Sequence, residues 1–197
     1  MNKSVVPFNK EYFSQIVDFV KPLWSFSDWE DSFRKFYAEI ILQNSFFENG
    51  LAFQIAENQE LLAVTFFQKK FDKNNLNRWI SENAGDFTAA QKQSINLCTE
   101  YLACMDSKVH SLMNENDIKL SLFVSCKKGY GSIIFEKLWN HLKNLNYKNL
   151  YLWTDCECNW QWYLKNGFTL IEESIYEKFN DGTKKYKTYI FKKKLND

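Results

Sequence analysis

Apolar residues recur along this chain with two different periods, and the alternation between them outlines the elements. From Glu11 to Val20, and again through Trp29, Phe33, Phe36, Tyr37, Ile40 and Ile41, they fall three or four residues apart, the spacing of one helix face. Ser27 or Asp28 stands where the second of these helices would be capped. Val5 to Phe8 reads as a short strand. Leu51 to Ala56 and Leu61 to Phe67 are strand-length runs separated by the polar turn Glu57-Asn58-Gln59-Glu60, the pattern of an antiparallel hairpin.

A polar stretch from Lys69 to Asn77 leads into a long helical segment between about Phe87 and Met113. There Ile95, Cys98, Leu102, Met105, Val109 and Leu112 follow a 3-4-3-4-3 spacing. The stripe suits core packing or a homodimer seam, although the run is short for a coiled coil. The last third is strand-rich. Ile118 to Val124 and Asn149 to Thr154 read as strands, on either side of a helix whose apolar face is Ile134, Phe135, Leu138, Trp139, Leu142 and Leu145. Asn159 to Lys165 reads as a short helix. Phe168 to Lys178 and Lys185 to Lys194 read as a hairpin around Asn180-Asp181-Gly182.

No repeat, low-complexity tract or linker divides the sequence. One α/β domain over residues 1–197, with mixed α and β elements, is the economical reading. Its 197 residues are enough to bury a core without a disulfide or metal staple. Lys and Arg number 25 against 24 Asp and Glu, a balance that argues against a nucleic-acid or membrane-surface binder. No apolar run approaches a membrane span, and the first residues lack the apolar region of a signal peptide. Five cysteines, an odd number, read as reduced thiols, so a cytoplasmic location is expected. Glycine occurs only six times, which makes a glycine cluster informative.

That cluster is Gly129-Tyr130-Gly131-Ser132, between a strand and an amphipathic helix and preceded by Lys127 and Lys128. Glycines let a backbone turn sharply and come close to a ligand. A helix N-terminus adds unpaired N–H donors and the positive end of its dipole. The place therefore suits phosphate. A Walker loop is absent, and a dinucleotide fingerprint would need a third glycine where Ile134 stands. An ordinary strand-to-helix turn remains the alternative.

Taken together, Leu120 to Val124, Gly129 to Ser132, Leu150 to Asp155 and Tyr163-Leu164-Lys165-Asn166-Gly167-Phe168 resemble the GNAT superfamily of acyl-CoA-dependent N-acetyltransferases. Specific motifs lie within residues 118–171, and the order of elements agrees over nearly the whole chain. The stretch from Thr154 to Tyr163 is similar to bacterial members. The resemblance implies a central mixed, mostly antiparallel sheet flanked by helices, with a cofactor-binding core at about 118–171. A helical insertion at about 70–113 would precede the central strand. It also implies transfer of an acetyl group from acetyl-CoA to a primary amine of a small molecule or peptide, by direct attack and without a metal.

On the same resemblance, the pantetheine arm of acetyl-CoA would lie along Leu122, Phe123 and Val124. Its pyrophosphate would sit over Lys128, Gly129, Tyr130, Gly131 and Ser132. Tyr163 would protonate the departing thiolate, and Asn159 would either bond the pantetheine or cap its helix. Two departures stand out: Cys126 occupies the Arg/Gln position of the loop motif, and Lys119 the place of a glutamate base. They keep open a second reading, a non-catalytic acyl-CoA-binding module. Glu115, Asp117 and Asp155 are candidates for the base. Trp24 to Asp31, aromatic and acidic together, suits either a cationic acceptor or a surface turn. Cys156, Cys158, His110 and His141 lack zinc spacing. The Lys184 to Lys194 run alternates as a half-solvated strand does.

Overall fold

The computed structural model describes residues 4–48, 50–180 and 182–195. Its seven strands are β1 (Val6–Pro7), β2 (Ala52–Glu57), β3 (Glu60–Lys69), β4 (Asp117–Ser125), β5 (Asn149–Asp155), β6 (Thr169–Ile175) and β7 (Lys187–Lys194). They form one sheet in the order β1-β2-β3-β4-β5-β7-β6, antiparallel throughout except where β4 meets β5. The expected mixed α/β architecture is present.

Six helices cover the sheet: α1 (Phe13–Trp24), α2 (Asp31–Ser45), α3 (Leu76–Asn83), α4 (Ala89–Leu112), α5 (Tyr130–Asn144) and α6 (Gln161–Lys165). One face carries α5, whose Ile134, Phe135, Leu138 and Leu142 pack on Ile118, Leu120, Leu150, Leu152 and Phe191. On the other face α1 and α2 pack on Val64, Phe66, Leu122 and Val124. There, too, α4 packs on Tyr151 and Ile190. The expected insertion between β3 and β4 is thus α3 and α4, and it roofs the sheet over β5 and β7.

The β2–β3 hairpin turns where it was expected. Asn58 and Gln59 both take left-handed φ values, 51° and 66°, which match the strand twist. Several boundaries differ from the sequence reading. Helix α2 starts at Asp31 behind Glu30 with no side-chain cap, so neither Ser27 nor Asp28 serves. The last hairpin is broken: β6 ends at Ile175, a 3₁₀ turn covers Glu177–Phe179, and β7 begins at Lys187. Asp181 of the expected turn lies outside the described residues. The stripe of α4 is used inside the chain. Ile95, Cys98 and Leu102 pack against Phe33, Phe36 and Ile40, while Met105 and Val109 pack on β5 and β7. Burial of these side chains within the fold removes the seam they could have offered to a partner.

Strand β4 contains a bulge. Phe66 pairs with Leu122 but Phe67 with Leu120, so Ser121 is the extra residue, and its hydroxyl donates to the Ser45 carbonyl at 2.8 Å.

Candidate active site

Parallel pairing of β4 with β5 runs only from Asp117–Asn149 to Lys119–Tyr151. Both strands then continue, β4 to Ser125 and β5 to Asp155, without pairing to each other. The sheet is therefore split toward the C-terminal ends of its two central strands. Leu122, Phe123 and Val124 lie on the β4 side of that split, with an unpaired backbone edge facing β5. The edge alternates: Leu122 and Val124 point to α1 and α2, while Phe123 points to α5 and packs on Trp162 of α6 at 5.1 Å between ring centroids.

At the end of β4 the chain turns into α5 through Gly129, which takes a left-handed φ of 89° at the N-cap. Gly131 serves another purpose. A Cβ there would lie 3.0 Å from Phe123 Cζ and 3.2 Å from Ser125 Cβ, so the helix start can approach β4 this closely only without a side chain. The Gly131 N–H donates to Ser125 Oγ at 3.0 Å, and the Tyr130 N–H to the Lys127 carbonyl at 3.2 Å. The amides of Lys128, Gly129 and Ser132 donate to no group among the described residues. Of the expected phosphate cradle, these three amides are free for a ligand, those of Tyr130 and Gly131 are spent within the turn, and the Tyr130 side chain is buried. Cys126 is part-buried against the α1–α2 side, and burial pushes its thiol up to about 11. It is an uncharged packing residue.

Tyr163 stands on α6, beside the β5 half of the split. Its ring packs on Phe168 at 5.5 Å and Phe191 at 5.7 Å, while its hydroxyl makes no hydrogen bond among the described residues. Burial raises its pKa above the ordinary tyrosine value, with the Cys158 thiol nearby adding to this, so the group stays a phenol. Asn159 is exposed; its backbone carbonyl accepts the Trp162 N–H at 3.1 Å, and its side chain caps nothing.

The three candidate bases are separated by the fold. Glu115 and Asp117 lie at the opposite, N-terminal end of β4, and Asp117 is committed to the Asn114 N–H and the Asn149 amide. Asp155 ends β5, beside the split. It is 8% exposed, and it accepts from the Tyr101 hydroxyl at 3.1 Å and the Glu157 N–H at 3.0 Å. Lys119 is 2% exposed and pairs with Asp106 of α4, donating also to Gln68 Oε1 at 2.9 Å. Asp106 additionally accepts from Trp153 Nε1 at 2.6 Å and Asn44 Nδ2 at 3.0 Å. This buried network borders a cleft of about 370 Å³ lined by Asn44, Asn74, Asp106 and His110.

Sequence reasoning missed Asp106 and Tyr101. Each adjoins a residue of the apolar stripe, Met105 and Leu102, and a buried face two residues wide at each turn was the available signal. In the Trp24–Asp31 stretch, Trp29 packs into the core against Phe33 and Asp31 pairs with Lys21 at 2.6 Å, which holds its carboxyl below the usual range. Phe26 is 67% exposed. No group of three or more metal-ligating side chains occurs among the described residues, and no helix is long and apolar enough to cross a membrane.

No family model matches this sequence, and no curated protein matches it. Solved structures do match it, over almost the whole chain. The ribosomal-protein-S18-alanine N-acetyltransferase of Escherichia coli is 11% identical, with 99% of this chain and 95% of that one covered at a TM-score of 0.54. An acetyltransferase of the GNAT family from Staphylococcus aureus is 15% identical, with 98% and 99% covered at 0.52. The aminoglycoside 6′-N-acetyltransferase of Enterococcus faecium is 11% identical, with 98% of both chains covered at 0.56. The chain has the fold of the GNAT N-acetyltransferases.

Proposed function

We propose that this chain is a GNAT-type N-acetyltransferase, a single catalytic unit that moves an acetyl group from acetyl-CoA to a primary amine in the cytoplasm. The observation that carries the reading is the split between β4 and β5, with a glycine turn and three unbonded amides at its end. A pantetheine arm would bond the free edge of β4 at Leu122, Phe123 and Val124 as an added strand does. The pyrophosphate would take the amides of Lys128, Gly129 and Ser132 at the positive end of α5, with the Lys128 ammonium alongside. An edge N–H of β4 would meet the thioester carbonyl as charge develops on its oxygen.

The amine would attack the thioester carbon directly. The C–N bond forms, the C–S bond breaks, and Tyr163 gives its proton to the leaving sulfur. Its hydroxyl is compatible with that duty, because nothing among the described residues bonds it. The acceptors of the structural neighbours range from a ribosomal-protein alanine to an aminoglycoside, so a panel of amines is the probe.

Thiol release from acetyl-CoA, followed with a panel of amines, tests the activity. Calorimetric titration of acetyl-CoA tests the cofactor site separately. Binding without release for any amine would favour the acyl-CoA-binding module, and absence of binding would reject both readings.

A further inference from the structure

The C-terminal end of β5 carries a second arrangement. Asp155 lies in the part of β5 that has left β4, and it follows Tyr151 and Trp153 on the face roofed by α4. Among the described residues, the donors that reach its carboxylate are uncharged. Tyr101 reaches it from α4, and Tyr186 from the segment before β7. Thr188 pairs with it on β7, and the exposed Cys158 lies in the following turn. The nearest charged neighbour in sequence, Glu157, has its carboxylate turned to Lys184 at 2.5 Å. Both tyrosines have raised pKa values, from burial first and from the Asp155 charge second, so both remain donors. Trp153, Tyr176 and Phe179 pack around the buried Tyr101 ring at 5.4, 4.8 and 5.0 Å between centroids, in one core cluster.

We propose that Asp155 is the carboxylate that takes the proton from the incoming acceptor ammonium, with Tyr101 and Tyr186 as its positioning residues. This rests on the acetyltransfer reading above. Asp106, the other buried acid of this face, is unsuited because Lys119, Trp153 and Asn44 already occupy it and an ammonium already neutralises it. Asp155 accepts from the Tyr101 hydroxyl and the Glu157 N–H, and no ammonium or guanidinium pairs with it among the described residues.

The proton balance closes. The acceptor enters as R–NH₃⁺ and gives one proton to Asp155. The neutral amine attacks, and its nitrogen then carries two protons and a positive charge. The thiolate takes the Tyr163 proton, the resulting phenolate takes one proton from that nitrogen, and Asp155 returns its own to water. The products are the amide, free CoA and one proton.

The experiment is the pH profile of kcat/KM for the wild type, Asp155→Asn and Tyr101→Phe. The amine is whichever is turned over fastest among 2-phenylethylamine, putrescine and glycinamide, and acetyl-CoA affinity and thermal midpoint are measured alongside. Asp155→Asn is expected to lower kcat/KM ~100- to 10,000-fold, the usual range for a general base. The acid limb of the profile should vanish and acetyl-CoA binding stay in place. Tyr101→Phe should displace the acid limb while keeping most of the rate. If Asp155→Asn misfolds, the displacement in Tyr101→Phe decides. An active wild type whose acid limb is untouched by either variant overturns the inference alone. A wild type that binds acetyl-CoA yet acetylates none of the three amines overturns it together with the acetyltransfer reading for them.

Discussion

Ser125 Oγ accepts the N–H of Gly131 at 3.0 Å and donates to the Lys127 carbonyl at 2.8 Å, so the turn between β4 and α5 is closed by its own side chain. The hydroxyl acts as an N-terminal cap supplied from the preceding strand. Ser125→Ala should cost about 1 kcal/mol of stability, the usual loss for such a cap. Acetyl-CoA affinity should stay near wild type, because the amides assigned to the pyrophosphate are those of Lys128, Gly129 and Ser132. Urea unfolding and calorimetry read the two effects separately.

The two glycines of this turn should fail for different reasons when given a methyl group. At Gly131 the Cβ would press on Phe123 and Ser125, and Gly131→Ala should cost ~1–3 kcal/mol, as overpacking does, with loss of cofactor affinity as the helix start moves. At Gly129 nothing lies within 4 Å, and Gly129→Ala should cost only the ~1–2 kcal/mol of a left-handed residue. Equal loss of acetyl-CoA binding in both variants would show that close approach at Gly131 is not special.

Removing one member of the Lys119–Asp106 pair should be far worse than removing both. Asp106→Ala leaves an ammonium buried without its counter-charge, an expected cost of about 3–5 kcal/mol. Combining it with Lys119→Met removes the uncompensated charge and should recover much of that loss. Urea midpoints of the two singles and the double give the coupling; simple additivity would mean the pair is not interacting.

His110 offers a pH test. Its Nε2 is buried without a hydrogen-bond partner among the described residues, and burial first, then the Lys119 charge, depress its pKa below 6.5. Below that pH the unfolded chain takes up a proton that the folded chain refuses, so this residue makes stability fall as the pH drops through 6.5 toward the depressed value. His110→Gln should therefore narrow the difference in urea midpoint between about pH 7.5 and about pH 5.5. An unchanged difference would locate that acid sensitivity elsewhere.

Tyr163→Phe keeps the ring on Phe168 and Phe191 and removes only a hydroxyl that bonds nothing among the described residues. Stability and acetyl-CoA affinity should hold. If Tyr163 is the acid, kcat should fall ~100- to 10,000-fold. Single-turnover rates, where chemistry limits, distinguish this from a packing role.

Much of the fold was legible because local pattern and tertiary need agree. The β2–β3 hairpin is written in its alternation and its Asn58-Gln59 turn, and α5 in its apolar face and glycines. Helix α3 was harder to see, since only Leu76 of its eight residues is buried. The broken last hairpin depends on Tyr176, Phe179 and Tyr186 packing against Tyr101, a contact across more than seventy residues that no local window contains. The site divides the same way. The glycine turn is a local signal. Separating Glu115 and Asp117 from Asp155 needed the sheet, because parallel strands decide which end each carboxylate occupies. The buried partner of Lys119 came from a helix thirteen residues upstream.

The extra residue at Ser121 gives β4 two reading frames. Ahead of it Ile118 and Leu120 face α5 while Lys119 meets the polar network on the far side; after it Leu122 and Val124 have moved to that far side and Phe123 has taken the α5 face. The strand can thus hold a charged residue at its start and an apolar one at its end on the same surface. Deleting Ser121 would remove the bulge and leave Leu122 following Leu120 in plain alternation, so every later side chain would keep its present face and only the hydroxyl bond to Ser45 would be lost. Deleting Phe123 instead, with the bulge kept, would turn Val124 onto the α5 face, so the position of a one-residue deletion decides whether this strand tolerates it.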